Sequence, residues 1–339
     1  KGVPARGLGI ILFLPMFTSS PERPERGHFW LDMFDVGQGL SVLIRTEKHN
    51  LLYDLGPEFS EHFNTAEAVV WPHLWGMGIS AIDTLVISHG DKDHAGGIDK
   101  FLRKMPVNNL ALGEPLDTLP GLSLPANSVC SAGQRWWWGG VKFETLYPIR
   151  NADVHSRSSA QLENKPGGFS GNYIGNNIES YIGSDIDNYD GNNSSCVIRV
   201  SNRDFSVLLT GDIEKKAERA LIEGYGAQLQ SDVITVPHHG SKTSSSDALL
   251  TTVAPRLGLV SAGYQHRYGH PADAVVQNYQ QHNIALMNTA VHGRIQLRSQ
   301  FYGVQAENTP YKWLVWRKQR KNWWHALPPS VVSPKVPPL

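Results

Sequence analysis

Residues Thr84 to Gly97 read TLVISHGDKDHAGG. The opening TLVI suits a buried strand. The chain then runs straight into His89, Asp91, Asp93 and His94, four potential metal-ligating side chains within six residues. Gly90 permits a tight turn, so the four can face two adjacent sites. Imidazole and carboxylate together suit Zn, Mn, Fe or Mg. A polar surface turn has the same composition, so the weight falls on whether the pattern recurs elsewhere.

It recurs. Asp54 follows the apolar run Asn50 to Tyr53, and Asp212 follows Phe205 to Leu209 through Thr210-Gly211. His238 and His239 follow Val233 to Val236, and His270 comes shortly after Leu257 to Ser261. Short loops at strand ends are where a rigid scaffold presents functional groups. Asp212 has two oxygens able to bridge two metals, or it caps the following helix. Asp54 either orients a ligand from behind or forms the turn before Gly56-Pro57. Neighbours on a strand point to opposite sides, so one of His238 and His239 is expected to bind metal, and Gly240 favours His239. Ser241-Lys242-Thr243-Ser244 reads as the opening of a helix. Its amides, hydroxyls and Lys242 offer an anion site or a plain N-cap.

The pass along the chain gives strands, an α/β alternation, then strands and α/β again. Two similar halves around sheets with helices outside produce such an order. Helices are expected over 65–70, 98–104, 214–223, 247–253 and 272–281. Residues 151–195, rich in Asn, Gly, Ser and Asp, read as a mobile insertion loop. Leu8 to Phe17 is too short to span a bilayer. It reads as the end of a membrane segment or as an apolar element packed on the domain.

The 339 residues carry 31 basic and 31 acidic side chains, which disfavours a protein coating nucleic acid by bulk charge. The balance is uneven, however. From Pro255 onward there are ten basic residues against Asp273 and Glu307, leaving 21 basic and 29 acidic before it. The basic excess culminates in YKWLVWRKQRKNWW, Tyr311 to Trp324. There Arg317, Lys318, Arg320 and Lys321 suit a phosphate backbone while the Trp residues suit bases. A membrane surface, or a strand with a solvated basic tail, fits the same composition. The hydrophobic share of 40% excludes a disordered chain. Cys130 and Cys196 are too few for a disulfide scaffold, and two separate buried thiols are expected rather than a pair.

Taken in order, the motifs Asp35-Val36-Gly37-Gln38-Gly39, Leu52 to Gly56, Ser88 to Gly97, Leu209 to Asp212, Pro237 to Ser241 and Tyr268 to Pro271 resemble the metallo-β-lactamase superfamily. Within it they are most similar to the C-terminal domain of ComEC-type DNA-uptake proteins. The resemblance implies an α/β fold, a four-layer αββα sandwich over residues 27–306. It implies that 1–26 is a membrane remnant and linker, while the composition of 307–339 reads as a basic, Trp-rich tail. It implies two divalent ions and no organic cofactor. His89 and Asp91 would serve one ion and Asp93 and His94 the other. Asp212 would bridge, with His238 or His239 completing the second site. Two departures stand out: Asp91 replaces a histidine, and Asn192 or Asn193 stands where a further histidine is usual. Oxygen donors harden the site and favour Mn or Mg over Zn.

The expected function is a two-metal phosphodiesterase, a nuclease acting on DNA, single-stranded for preference, during natural transformation. Asp93 and Asp212 would hold the metals. His270 and Lys242 would stabilise charge or protonate the leaving oxygen, with Ser241 and Thr243 beside Lys242 on the DNA. The expected setting is the inner membrane, with this domain on the periplasmic face beside its parent channel. The rivals are a DNA-binding module with a degenerate metal site and a metallohydrolase of another ester.

Overall fold

The computed structural model describes residues 21–114, 126–149, 170–171, 191–299 and 311–315. The expected membrane remnant, most of the insertion loop and the basic stretch with Arg317, Lys318, Arg320 and Lys321 lie outside them.

The chain opens with β1 (Trp30–Met33), β2 (Val42–Arg45), β3 (Asn50–Tyr53) and the small hairpin of β4 (Glu58–Ser60) and β5 (Phe63–Asn64). A short π-helix, Ala66–Val70, runs into α1 (Trp71–Gly76). Then come β6 (Ile82–Ile87), α2 (Ile98–Lys104), β7 (Val107–Leu112), β8 (Ala126–Val129), β9 (Gln134–Trp138), β10 (Val141–Tyr147) and β11 (Ser170–Gly171). The second part holds β12 (Val197–Ser201), β13 (Ser206–Leu209), α3 (Lys215–Tyr225), β14 (Val233–Thr235), α4 (Asp247–Val253), β15 (Leu257–Val260), α5 (Asp273–Gln281), β16 (Ala285–Asn288), α6 (Thr289–His292), β17 (Ile295–Ser299) and β18 (Tyr311–Val315).

The strands form two eight-stranded sheets, ordered β18-β17-β1-β2-β3-β6-β7-β8 and β11-β9-β10-β12-β13-β14-β15-β16. Each has an antiparallel run followed by three parallel pairings. Period-two alternation sorts side chains between layers. In β2 and β3, Val42, Ile44, Leu51 and Tyr53 point into the space between the sheets, where Ile198, Val200, Val207 and Leu209 meet them. Leu43 and Leu52 point outward under Val70, Leu74 and Phe101. Val197, Leu208 and Ile234 point outward under α3, α4 and α5. Helix, sheet, sheet, helix is the αββα sandwich that the resemblance implied.

Several expectations change. Cys130 and Cys196 are a disulfide, not separate thiols, with Cα atoms 5.8 Å apart. Cys130 follows β8 in one sheet and Cys196 precedes β12 in the other. Cys130 N donates to Leu112 O and Cys196 N to Ser88 O, so backbone bonds hold both at facing strand ends. The helix expected to stop before Pro72 instead continues, because Pro72 occupies the first turn of α1, where its missing N–H is tolerated. Tyr311–Val315, inside the expected tail, takes the strand alternative and pairs with β17 as an edge strand. Residues 191–194, expected at the end of the insertion loop, form a 3-10 turn, with Ser194 and Ser195 buried. Among the described residues no helix is long and apolar enough to cross a membrane.

Candidate metal centre

The parallel strands of both sheets end at one edge of the sandwich. There β3 delivers Asp54, β6 Ser88 and His89, β13 Asp212, β14 His239, and β15 Ser261. Four donors converge: Asp93, His94, Asp212 and His239, each offering an atom within 4.8 Å of the others. His94 Nε2 lies 3.2 Å from Asp212 Oδ1 and 3.2 Å from His239 Nε2. His239 Nε2 lies 3.3 Å from Asp212 Oδ2 and 3.4 Å from Asp93 Oδ2. Asp93 is partly open to solvent; the other three are buried.

The tautomers decide whether these donors fit a cation. His239 Nδ1 faces the Ser261 carbonyl at 2.8 Å, and a carbonyl only accepts. His239 Nδ1 therefore carries the proton, and Nε2 of the neutral ring presents a lone pair. His94 Nδ1 faces Asp54 Oδ2 at 2.8 Å, to the same effect. Two lone pairs and two carboxylates thus aim at one point, a donor set that fits a divalent cation. Without one, protons take its place. Burial pushes His94 and His239 down, but the surrounding carboxylates together outweigh it (Asp212 and Asp54 for His94, Asp212 and Asp93 for His239), leaving His94 well above the usual value and His239 at about 9. Burial pushes Asp93 and Asp212 up. The facing imidazoles overcome this, bringing Asp93 to about 2 and Asp212 well below its usual range.

The pair His238-His239 is not strand-like as expected. Both residues have left-handed backbone, φ +49° and +53°. The turn buries His239 at the cluster and leaves His238 part-exposed, its Nε2 3.9 Å from Asp212 Oδ2 and its Nδ1 3.1 Å from Thr243 Oγ1. Asp212 does not cap a helix: α3 begins after Glu214, and the Asp212 carboxylate faces the histidines. Its N–H donates to Ser195 Oγ at 3.0 Å.

His89 is buried beside His94, ring centroids 4.3 Å apart. Its Nδ1 lies 3.0 Å from Ser88 Oγ. Its Nε2 has no hydrogen-bond partner among the described residues; Asp91 Oδ2 stands 3.5 Å away. That imidazole holds Asp91 below the usual carboxylate range. Asn193 is not with these donors: its Oδ1 accepts the Glu214 N–H at 3.3 Å. His270 stands at the mouth, its ring 6.5 Å from His239 and its Nδ1 3.3 Å from Gln38 Nε2. Burial, then His239 and His238, lower its pKa.

Lys242 is exposed beside Ser241 and Thr243. These residues do not open a helix, as expected; α4 starts at Asp247, capped by Ser246. Ser241 and Thr243 hydroxyls bond each other instead. Sequence reasoning missed Ser88, Ser195, Ser261 and Gln38 as supports. Ser88 and Gln38 sit inside quoted motifs, so adjacency was an available signal; Ser195 and Ser261 carried none.

A family model described as the metallo-β-lactamase superfamily matches residues 34–122. The chain is similar to competence protein ComA of Neisseria gonorrhoeae, 33% identical over 93% of this chain and 39% of that protein. It is 33% identical to recombination protein 2 of Haemophilus influenzae, over 86% of this chain and 31% of that one. Against ComE operon protein 3 of Bacillus subtilis the identity is 28%, over 79% and 33%. The chain thus spans well under half the length of these curated relatives. With the motifs, the fold and the donor cluster agreeing, it belongs to the metallo-β-lactamase superfamily, in the ComEC-type branch of competence proteins.

Proposed function

We propose that this domain is a divalent-metal phosphodiesterase that cleaves DNA within a DNA-uptake machine, degrading the strand that is not imported. The convergence of Asp93, His94, Asp212 and His239 on one point carries the reading. These four residues would hold a divalent ion, which would supply Lewis-acid polarisation of a phosphoryl oxygen and acidify a water. Asp54 and Ser261 lock the two imidazoles in the ligating tautomer. His89, whose buried Nε2 has no hydrogen-bond partner among the described residues, and Asp91 beside it would hold a second ion. Carboxylate-rich donors favour Mn as the working ion. His270, at the mouth, would exchange a proton with the leaving oxygen, and the exposed Lys242 would meet a phosphate. The Cys130–Cys196 disulfide supports a periplasmic setting, because such bonds persist in oxidising compartments. A membrane channel, part of a longer parent, is the proposed partner.

The test is single-stranded DNA incubated with Mn, using the wild type, Asp93→Ala and Asp212→Ala. Cleavage by the wild type alone is expected. Equal cleavage by all three, or by none, sinks the proposal. A second reading, DNA binding without cleavage, draws on Asn193 facing Glu214 rather than the cluster. A wild type that binds DNA and stays metal-free under Mn would favour it.

A further inference from the structure

Two pairs of exposed rings flank the metal centre. Phe59 and Phe63, on β4 and β5, are 58% and 52% exposed and stack on each other at 5.6 Å. Their hairpin is tied to the cluster, since Glu58 N donates to the carbonyl of Lys92, the neighbour of Asp93. Phe59 also packs by Gly37: a Cβ there would lie 3.9 Å from its ring. The next residue, Gln38, holds the opposite wall through His270 and the Gly263 N–H. On that wall rings stack outward from the cluster. His270 faces His239, Tyr268 faces His270 at 5.8 Å, and the Arg267 guanidinium covers Tyr268 at 4.7 Å. Tyr264 and Tyr268 are 53% and 57% exposed. Lys92 and Lys242 are exposed on the loops that carry Asp93 and His239. Neither has an ion-pair partner among the described residues.

A surface evolved to stay in water rarely gathers large exposed rings beside a cluster of ionisable side chains. Here cations accompany the rings, Arg267 over Tyr268 and Lys92 and Lys242 exposed on the donor-bearing loops, which suits a polyanion whose bases have flat faces. We propose that Phe59 and Phe63 on one side, and Tyr264 and Tyr268 on the other, form a base-stacking track for one unpaired nucleic-acid strand. Arg267, Lys92 and Lys242 meet its phosphates. This rests on the phosphodiesterase reading and deepens it. A duplex hides its base faces, so the track selects unpaired strands. A strand stacked on both platforms crosses the Gly37–Gly39 turn, whose neighbour Leu40 bonds the Asp93 carbonyl, and so passes the donors.

The experiment is fluorescence anisotropy of the whole chain with labelled oligothymidylate and with an abasic oligonucleotide of equal length, under chelator to prevent cleavage. The wild type is expected to prefer oligothymidylate. Phe59→Ala and Tyr268→Ala are each expected to lose about 5- to 100-fold of that preference, while Phe59→Trp and Tyr268→Phe keep it. Equal binding of both probes by the wild type overturns the track, as does undiminished preference in the alanine variants. So does binding of neither probe, which would point to a protein contact on these rings. Cleavage without stacking preference sinks the track alone. Preference without cleavage sinks the phosphodiesterase reading alone.

Discussion

Asp54 has φ +59° and is fully buried. Its Oδ1 accepts the Ser88 N–H at 2.7 Å, and its Oδ2 receives the Ser88 hydroxyl and His94 Nδ1. A carboxylate needed only for the turn could stay in solvent, so its burial against His94 supports the reading that it orients that ring. Asp54→Asn keeps the shape and loses the charge. It is expected to weaken Mn or Zn binding by about 10- to 100-fold, read by competition with a chromogenic chelator; unchanged affinity would refute the role. The histidines also give a pH signature. In the metal-free fold His239 lies at about 9 against an ordinary value of 6.5. Between those values the folded form holds more protons than the unfolded one, so stability falls as pH rises. The carboxylates act oppositely, Asp93 losing its contribution only as pH falls from 3.8 towards about 2. The metal-free melting temperature should therefore drop from pH 6.5 to 9, and added metal should flatten the drop. A metal-free melting temperature that rises across that window would contradict the proton-filled cluster.

At the scale of elements, the loops hold the centre by close backbone approach. A Cβ on Gly39, at φ +146°, would meet the Asp93 carbonyl at 2.4 Å and Pro57 Cδ at 2.7 Å. Neither atom is the tip of a flexible side chain, so Gly39→Ala must push the β1–β2 loop off the Asp93 loop. On the order of 1–3 kcal/mol of strain follows, with weaker metal binding. Thermal melts with and without metal check this, and a variant with wild-type melting in both would refute it. The strand-end placement of His94 and Asp212 was legible because the short loops that carry them follow apolar runs. The anion site at Ser241 to Ser244 was not, because Ser246 rather than Ser241 caps α4. Hydroxyl-rich sequence satisfies either start, and only tertiary packing chooses. The left-handed turn at His238-His239 has no residue signature either, since both are non-glycine and the strain is held by the surrounding loops.

Across the whole molecule, the donors divide between the halves: Asp93 and His94 follow β6, Asp212 and His239 follow β13 and β14. Neither half holds a full set, so the motifs disclosed the fold's symmetry of function while no sequence repeat disclosed its halves. The disulfide was illegible for a related reason. Sixty-six positions separate Cys130 from Cys196, and only the pairing of the two sheets brings them together. Reduction should cost about 2–4 kcal/mol of stability, visible as a lower denaturation midpoint with a phosphine reductant. An unchanged midpoint would mean that the bond constrains little.

The same bond has a consequence for a severed chain. Asp93 and His94 lie before Cys130, while Asp212 and His239 lie after Cys196. A peptide cut anywhere between the two cysteines therefore leaves fragments that each carry two donors and remain covalently joined. Such a nicked protein would migrate as one species until reduced, and then as two. While oxidised, it would keep a complete set of donors within one molecule.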